Sequence, residues 1–412
     1  MRPGRVTIAL FLLAVVVRLA FALAAKTYDE PAYSEAVMVA RSIADSGSFA
    51  NPFAVPTGPT GHVAPVYPYL LAAILKLFPW GHGFAVASML LGVLGSSLIW
   101  AALPVAAECL GIDWRAGAAG GLLGAVNLFR HSVELTGVWE APYAALALLG
   151  LTVLTFRWRD RFTETPRSLA LGGCWGAAML LQPAFITVFV AFLLILTAGT
   201  RRIRPAALAL VAMAVVVTPW IIRNEIMLGG FTFVRSNFGL ELDLANNDHA
   251  APGIGENFHT NQALDHPDVN RPEAHRMAEM GEMNYYHSRL KRALAWISGH
   301  PARFLVLCGQ RLWDYWIPVR RSLKIRIPEF ILTAMAATGL FLLLKSRQPA
   351  AAFLLAIWIS QPLVYYFIQV DERYRYPMEW TIALCAGYLL LRTAEAVAPA
   401  VLPPVVFISK QR

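Results

Sequence analysis

Two adjacent acids, Asp29 and Glu30, stand in "TYDEPAY", directly after a run of about twenty largely apolar residues. A carboxylate can take a proton from a hydroxyl when it lies within hydrogen-bond reach and stays ionised. The bland alternative is that the pair caps the helix that follows and complements its dipole, worth about 0.5–2 kcal/mol. One acid suffices for capping, so the second tilts the reading toward chemistry. The same loop continues to His62 and to "PVYP", which places Tyr67 between two prolines. Further on, "PWIIRN" carries Arg223 and Asn224, and "QVDERYRYPMEW" carries Arg373, Tyr374 and Arg375. Arginine's planar fork suits bidentate binding of phosphate. These are residue types that move a proton and hold an anion.

Metal chemistry has less support. "ANNDH", His259, "LDHPD" and His275 offer ligand types without a recognised spacing, and HExxH is missing. No cofactor is expected to be required, with a divalent metal as the minor alternative. Walker A, GxSxG and GxGxxG patterns are also missing, so nucleotide-driven pumping and serine hydrolysis lack support. Cys109, Cys174, Cys308 and Cys385 form no CxxC pair and read as small apolar residues in packed helices.

The elements that must position these groups are membrane helices. Of 412 residues, 57% are hydrophobic and 15% charged, where a soluble chain has roughly 25% charge. The fold class is therefore an all-α polytopic membrane protein with about ten spans. Spans are expected near 6–25, 83–107, up to 131, 139–156, 206–222, 329–344, 350–369 and 378–394. Two short helices between 167 and 201, broken at Gln182-Pro183, satisfy the parity that the basic clusters impose. The net charge of +9 follows a positive-inside bias, which removes nucleic acid as a partner. "VRRSLKIR" resists this topology, because it puts Arg320, Arg321, Lys324 and Arg326 outside. Arg18 interrupts the first apolar run, which argues for an uncleaved span over a signal peptide, and its simplest role is snorkelling.

Three segments follow. Residues 1–222 form an N-terminal membrane module whose first external loop, 26–80, holds the acids. Residues 223–328 form a second external region with amphipathic helices, and 329–412 hold the last spans. Within the first loop, "PAYSEAVMVARSIADSG" reads as an amphipathic helix from Pro31 to a stop at Gly47.

In order, these pieces resemble the C-type (GT-C) superfamily of membrane glycosyltransferases that use polyprenyl-phosphate sugars. Within it the match is closest to the bacterial branch related to protein O-mannosyltransferases and the lipid A aminoarabinose transferase. Asp29-Glu30, Pro65-Val66-Tyr67-Pro68, Pro219-Trp220 with Arg223-Asn224, "SNFGLELDLANND" and "ERYRYP" carry it. The resemblance implies an inverting transfer at the periplasmic face of the bacterial inner membrane, onto a glycan, lipid or protein hydroxyl. Asp29 would be the base and Glu30 its partner. Arg223, Arg373 and Arg375 would hold the lipid phosphate, with Asn224 and Tyr374 beside them and His62 and Tyr67 lining the site. Gln182-Pro183 departs from relatives that carry a basic residue in that turn. The competing reading is a transporter or flippase for a lipid-linked or anionic substrate.

Overall fold

The computed structural model describes residues 3–127, 131–317 and 322–397. Arg320 and Arg321 of the basic segment lie outside the described residues. The first half runs α1 (Pro3–Ala25), α2 (Glu35–Ser46), α3 (Val66–Leu77), α4 (His82–Cys109), α5 (Trp114–Val126), α6 (His131–Leu135) and α7 (Ala141–Trp158). It continues with α8 (Thr165–Met179), α9 (Phe185–Thr200) and α10 (Arg204–Leu228). A loop region follows with α11 (Phe238–Ala245), the short α12 (Ile254–Asn257) and α13 (Ala263–Asp265), then α14 (Arg271–Met280), α15 (Glu282–Gly299) and α16 (Pro301–Trp316). The chain closes with α17 (Leu323–Lys345), α18 (Pro349–Ser360), α19 (Leu363–Phe367), α20 (Glu372–Arg375) and α21 (Glu379–Val397). Among the described residues there is no strand, and two isolated bridges pair Ala50 with Pro59 and Gly253 with Val370.

Among the described residues, seven helical stretches are long and apolar enough to cross a membrane: α1, α4, α7 extended to Arg161, α10, α17, α18–α19 and α20–α21. The expected broken pair is present as α8 and α9, separated by residues 180–184 around Gln182-Pro183. The expected third span is the 13-residue α5. Its sequence "WRAGAAGGLLGAV" trades side chains for close approach. A Cβ at Gly120 would stand 2.5 Å from the Ala383 carbonyl oxygen, and one at Gly121 would stand 2.6 Å from that of Trp100. Small residues let α5 wedge between α4 and α21, as in other tightly packed membrane helices.

Arg18 does not snorkel. It is fully buried in α1, with Nε donating to Ser96 Oγ at 3.0 Å and Nη1 to the Ala125 carbonyl at 3.0 Å. Its Nη2 donates to the Gly124 carbonyl at 3.2 Å and to Glu134 Oε1 at 2.8 Å. The small residues of α5 leave its carbonyls within reach, so the charge is satisfied inside the bundle.

The first-loop helix also begins later than its pattern suggests. α2 starts at Glu35 because Ser34 caps it, Oγ accepting from the Val37 amide at 3.2 Å, and it ends on Gly47 in the left-handed conformation. Ala36, Val37, Val39, Ala40 and Ile43 form its buried face. Asp29 and Glu30 lie in a turn well before this cap, so capping does not occupy them. In the loop region α11 packs on α15, held by Asp243 between Arg289, at 3.2 Å, and Arg292.

Candidate active site

α2, α3, the loop before α7, the segment 233–241 and α20 converge on a narrow cavity of about 40 Å³. Its wall carries Glu35, Tyr67, Glu140, Arg235, Glu241, Arg373 and Tyr374. A second cavity of about 250 Å³ adjoins it, lined largely by apolar groups such as Pro183, Ile186, Phe233, Phe238, Val364 and Ile368. Glu140, Arg235, Glu241 and Tyr374 line both. A charged chamber thus opens onto an apolar one across a shared arginine.

Arg373, Tyr374, Arg235, Tyr67 and Glu241 are each held by contacts behind the wall. The chain enters α20 through the bridge at Val370, whose amide donates to the Pro252 carbonyl at 2.9 Å. Asp371 then caps α20, its side chain accepting from the Arg373 amide at 3.0 Å. The Arg373 guanidinium sits 4.2 Å from the Trp139 ring centre, a cation–π contact that fixes its direction. Tyr374 stacks on Tyr365, with ring centres 4.4 Å apart. Arg235 Nε donates to the His62 carbonyl at 2.8 Å, and Tyr67 donates to the Gly137 carbonyl at 2.7 Å. Glu241 accepts from Asn237 at 3.1 Å and from Gln369 at 3.2 Å.

Behind Glu35 lies a second cluster. His62 Nε2 is 3.9 Å from Glu35 Oε1, while Nδ1 pairs with the Tyr286 hydroxyl at 2.6 Å. Ligand atoms of Glu35, His62 and His266 lie within 4.8 Å of one another. Burial pushes His62 down to about 3, against the pull of Glu35, and Arg235, His266 and Arg373 press the same way, so the ring is neutral at pH 7. Burial alone would raise Glu35, but His62, Arg373 and His266 outweigh it and hold the carboxyl at about 2. Glu282 pins this region: it accepts from Thr60 Oγ1 at 2.5 Å, the Gly61 amide at 2.7 Å and Ser236 Oγ at 2.5 Å.

Of the residues singled out in the sequence, Tyr67, Arg373 and Tyr374 line the charged chamber, and buried His62 stands behind it. Asp29 and Glu30 are exposed on the turn after α1, outside the chamber's lining, where the Asp29 amide bonds the Lys26 carbonyl at 3.1 Å. Arg223 spends its guanidinium on the first loop, donating to the carbonyls of Thr60 at 2.6 Å and Phe49 at 2.8 Å. Asn224 is buried and donates to the Val234 carbonyl at 3.3 Å. Arg375 is buried with Glu379 at 2.8 Å and donates to Thr333 at 2.9 Å.

The fold can be compared with solved structures. No protein-family model and no curated protein sequence matches the chain. The oligosaccharyltransferase of Archaeoglobus fulgidus, in complex with Zn and sulfate, superposes with a TM-score of 0.54 at 14% identity, covering 96% of this chain and 50% of its own. The same organism's AglB, with an inhibitory peptide and a dolichol-phosphate, gives 0.54 at 13% identity, covering 97% and 52%. The fold is GT-C. ArnT from Cupriavidus metallidurans bound to undecaprenyl phosphate is also similar, with a TM-score of 0.40 and 15% identity over 95% of this chain and 81% of its own. The chain spans about half the length of the archaeal structures it matches.

Within this GT-C fold, sequence reading passed over Arg235, Glu140 and Glu241. Arg235 directly precedes the "SNFGLELDLANND" stretch, and Glu241 lies inside it, so the signal was adjacent. Glu140, before Ala141-Pro142, reads from sequence as an ordinary helix start. Glu35 was visible only as part of the polar face of α2.

Proposed function

We propose that the protein is an inverting glycosyltransferase that moves a sugar from a polyprenyl-phosphate donor to an acceptor hydroxyl at the outer face of a bacterial inner membrane. One observation carries this reading: a charged chamber and an apolar cavity share Arg235, which matches a donor with a phosphate at one end and a hydrocarbon chain at the other. The likeness in fold to a protein held in complex with a dolichol-phosphate supports it. Arg235 and Arg373 would bind the phosphate, and the apolar cavity would take the first prenyl units. Asp29, on the exposed turn leading toward α2, would meet an acceptor arriving from outside. In the step itself Asp29 takes the acceptor's proton while the acceptor oxygen forms the new bond to the anomeric carbon. The bond from that carbon to the phosphate oxygen breaks, and its electron pair leaves on the lipid phosphate. A single displacement inverts the anomeric centre. Glu35 is a poor base because its carboxyl is held at about 2. Its place is to balance the cations around it.

The test is reconstitution in vesicles with undecaprenyl phosphate carrying a radiolabelled sugar, together with an envelope extract as acceptor. Label is expected in a new glycosidic bond on glycan, lipid or protein. Label that crosses the bilayer yet stays on its lipid would overturn transfer in favour of a flippase.

A divalent metal at Glu35, His62 and His266 is a second element of the proposal. Neutral His62 has Nδ1 engaged by Tyr286, which leaves Nε2 facing Glu35 as a ligand pair. His266 Nδ1 accepts from the Asp268 amide at 3.0 Å, so its ring joins a metal only by giving up that bond. A bound metal would supply a local positive charge near Glu35. Zn²⁺ added to chelator-treated protein is expected to raise the melting temperature, and His62→Gln to abolish the rise. No rise in the wild type removes the metal from the proposal.

A further inference from the structure

The buried Arg18 and the charged chamber meet through one carboxylate. Glu134 Oε1 accepts from Arg18 Nη2 at 2.8 Å and from the Tyr376 hydroxyl at 2.6 Å. All three residues are buried. Tyr376 opens the 3-10 turn that directly follows α20, so it lies two residues from Tyr374 and three from Arg373. A second tie runs in parallel, with Ser132 Oγ donating to Glu372 Oε1 at 2.6 Å. The segment carrying Glu134 then continues into the chamber wall. Gly137 holds the Tyr67 hydroxyl, Trp139 lies against the Arg373 guanidinium, and Glu140 lines both cavities. The membrane core is therefore linked to both sides of the Arg373–Trp139 contact.

A snorkelling arginine explains none of this, and neither does simple cohesion of the bundle. Ser96 and the α5 carbonyls accept three of Arg18's hydrogen bonds, and Glu134 supplies the opposite charge. One oxygen of Glu134 takes both Arg18 and Tyr376 as donors, so the position of Tyr376 is tied to a guanidinium anchored in α1, α4 and α5. Hydrogen bonds to a charged acceptor in a low-dielectric setting are among the stronger ones available to a side chain.

We propose that Arg18, Glu134 and Tyr376 form a membrane-buried strut that positions Arg373 and Tyr374 for the donor phosphate. The strut residues touch no substrate and act through α20. The inference rests on the reading of the chamber as a lipid-phosphate site.

Removing Glu134 would strand Arg18 as an unpaired buried charge and risks the fold, so Tyr376→Phe is the informative variant. It deletes one hydroxyl and keeps the ring. Tyr376→Phe is expected to lower kcat/KM for the lipid-linked donor roughly tenfold, the loss of one hydrogen bond to a charged group. KM for the acceptor should stay near wild type, and the melting temperature should fall slightly without loss of cooperative unfolding, as removal of one buried hydrogen bond requires. In an Arg373→Lys background the same change should cost less than about twofold, since coupled sites are not additive. Additive effects of the two changes, or an equal loss toward donor and acceptor, would overturn the strut.

Binding of sugar-free undecaprenyl phosphate, followed by its effect on melting temperature, separates the two proposals. A wild type that binds this lipid but transfers nothing refutes the transferase reading. The strut is then judged by whether Tyr376→Phe weakens binding with the same non-additivity toward Arg373→Lys. A wild type that binds no lipid phosphate refutes both.

Discussion

Asp29→Asn is expected to reduce the turnover of sugar transfer by about a thousandfold, with KM for the lipid donor changed by less than about threefold. A positioned general base contributes about 10²–10⁴ in rate, and the amide keeps the shape while losing the ability to accept the proton. The exposure of Asp29 makes the fold insensitive to this change, so the melting temperature should hold. Glu35→Gln is the necessary companion. Its carboxyl lies among His62, Arg373 and His266 at the chamber wall, so its loss removes a balancing charge from the phosphate site. That variant should lower KM for the anionic donor, because a negative charge beside the phosphate is gone, and leave turnover within a few-fold of wild type. Measured kcat and KM for both variants decide the assignment. If Asp29→Asn is near wild type while Glu35→Gln abolishes turnover, the base is Glu35.

Arg373→Ala is expected to lower kcat/KM for the donor by about 10²–10³, the scale on which a single fixed donor to developing charge contributes. Arg373→Lys should recover only part of this, because it restores the charge without the fork or the stacking on Trp139. Its neighbour Arg375 provides the contrast. Arg375 is buried and paired with Glu379 at 2.8 Å. Arg375→Ala breaks this buried ion pair by removing one partner, which costs about 3–5 kcal/mol of stability. The two arginines of "ERYRYP" thus separate by readout: kinetics with an intact fold for Arg373, and a lowered melting temperature for Arg375. Loss of stability in Arg373→Ala with no donor effect would remove Arg373 from the phosphate site.

This separation shows where sequence reading stopped. "ERYRYP" presents two arginines at alternate positions, and nothing in their spacing tells them apart. The short α20 turns one toward Trp139 and the chamber and the other into the packing around Thr333 and Glu379. Arg223 is a similar case: its place at the end of α10 was legible, but its use by the Phe49 and Thr60 carbonyls depends on how the first loop folds back. Arg18 was read as a residue escaping to the surface because one helix in isolation offers it no partner. Ser96, the α5 carbonyls and Glu134 supply them only after four helices have packed.

What the sequence determined by itself is the class of molecule and the order of its parts. Runs of apolar residues can be satisfied only as membrane helices, so the all-α architecture and the broken pair around Gln182-Pro183 follow from local composition and backbone chemistry. The resemblance in the first loop and in "ERYRYP" follows from residue order, which is also local. The tertiary structure alone decided which charges face one another. Glu35, Glu140, Arg235 with Glu241, and Arg373 come from four separate stretches of the chain, and they share a cavity only because of how those stretches pack. A cavity is a property of packing between distant segments, and no single segment encodes it.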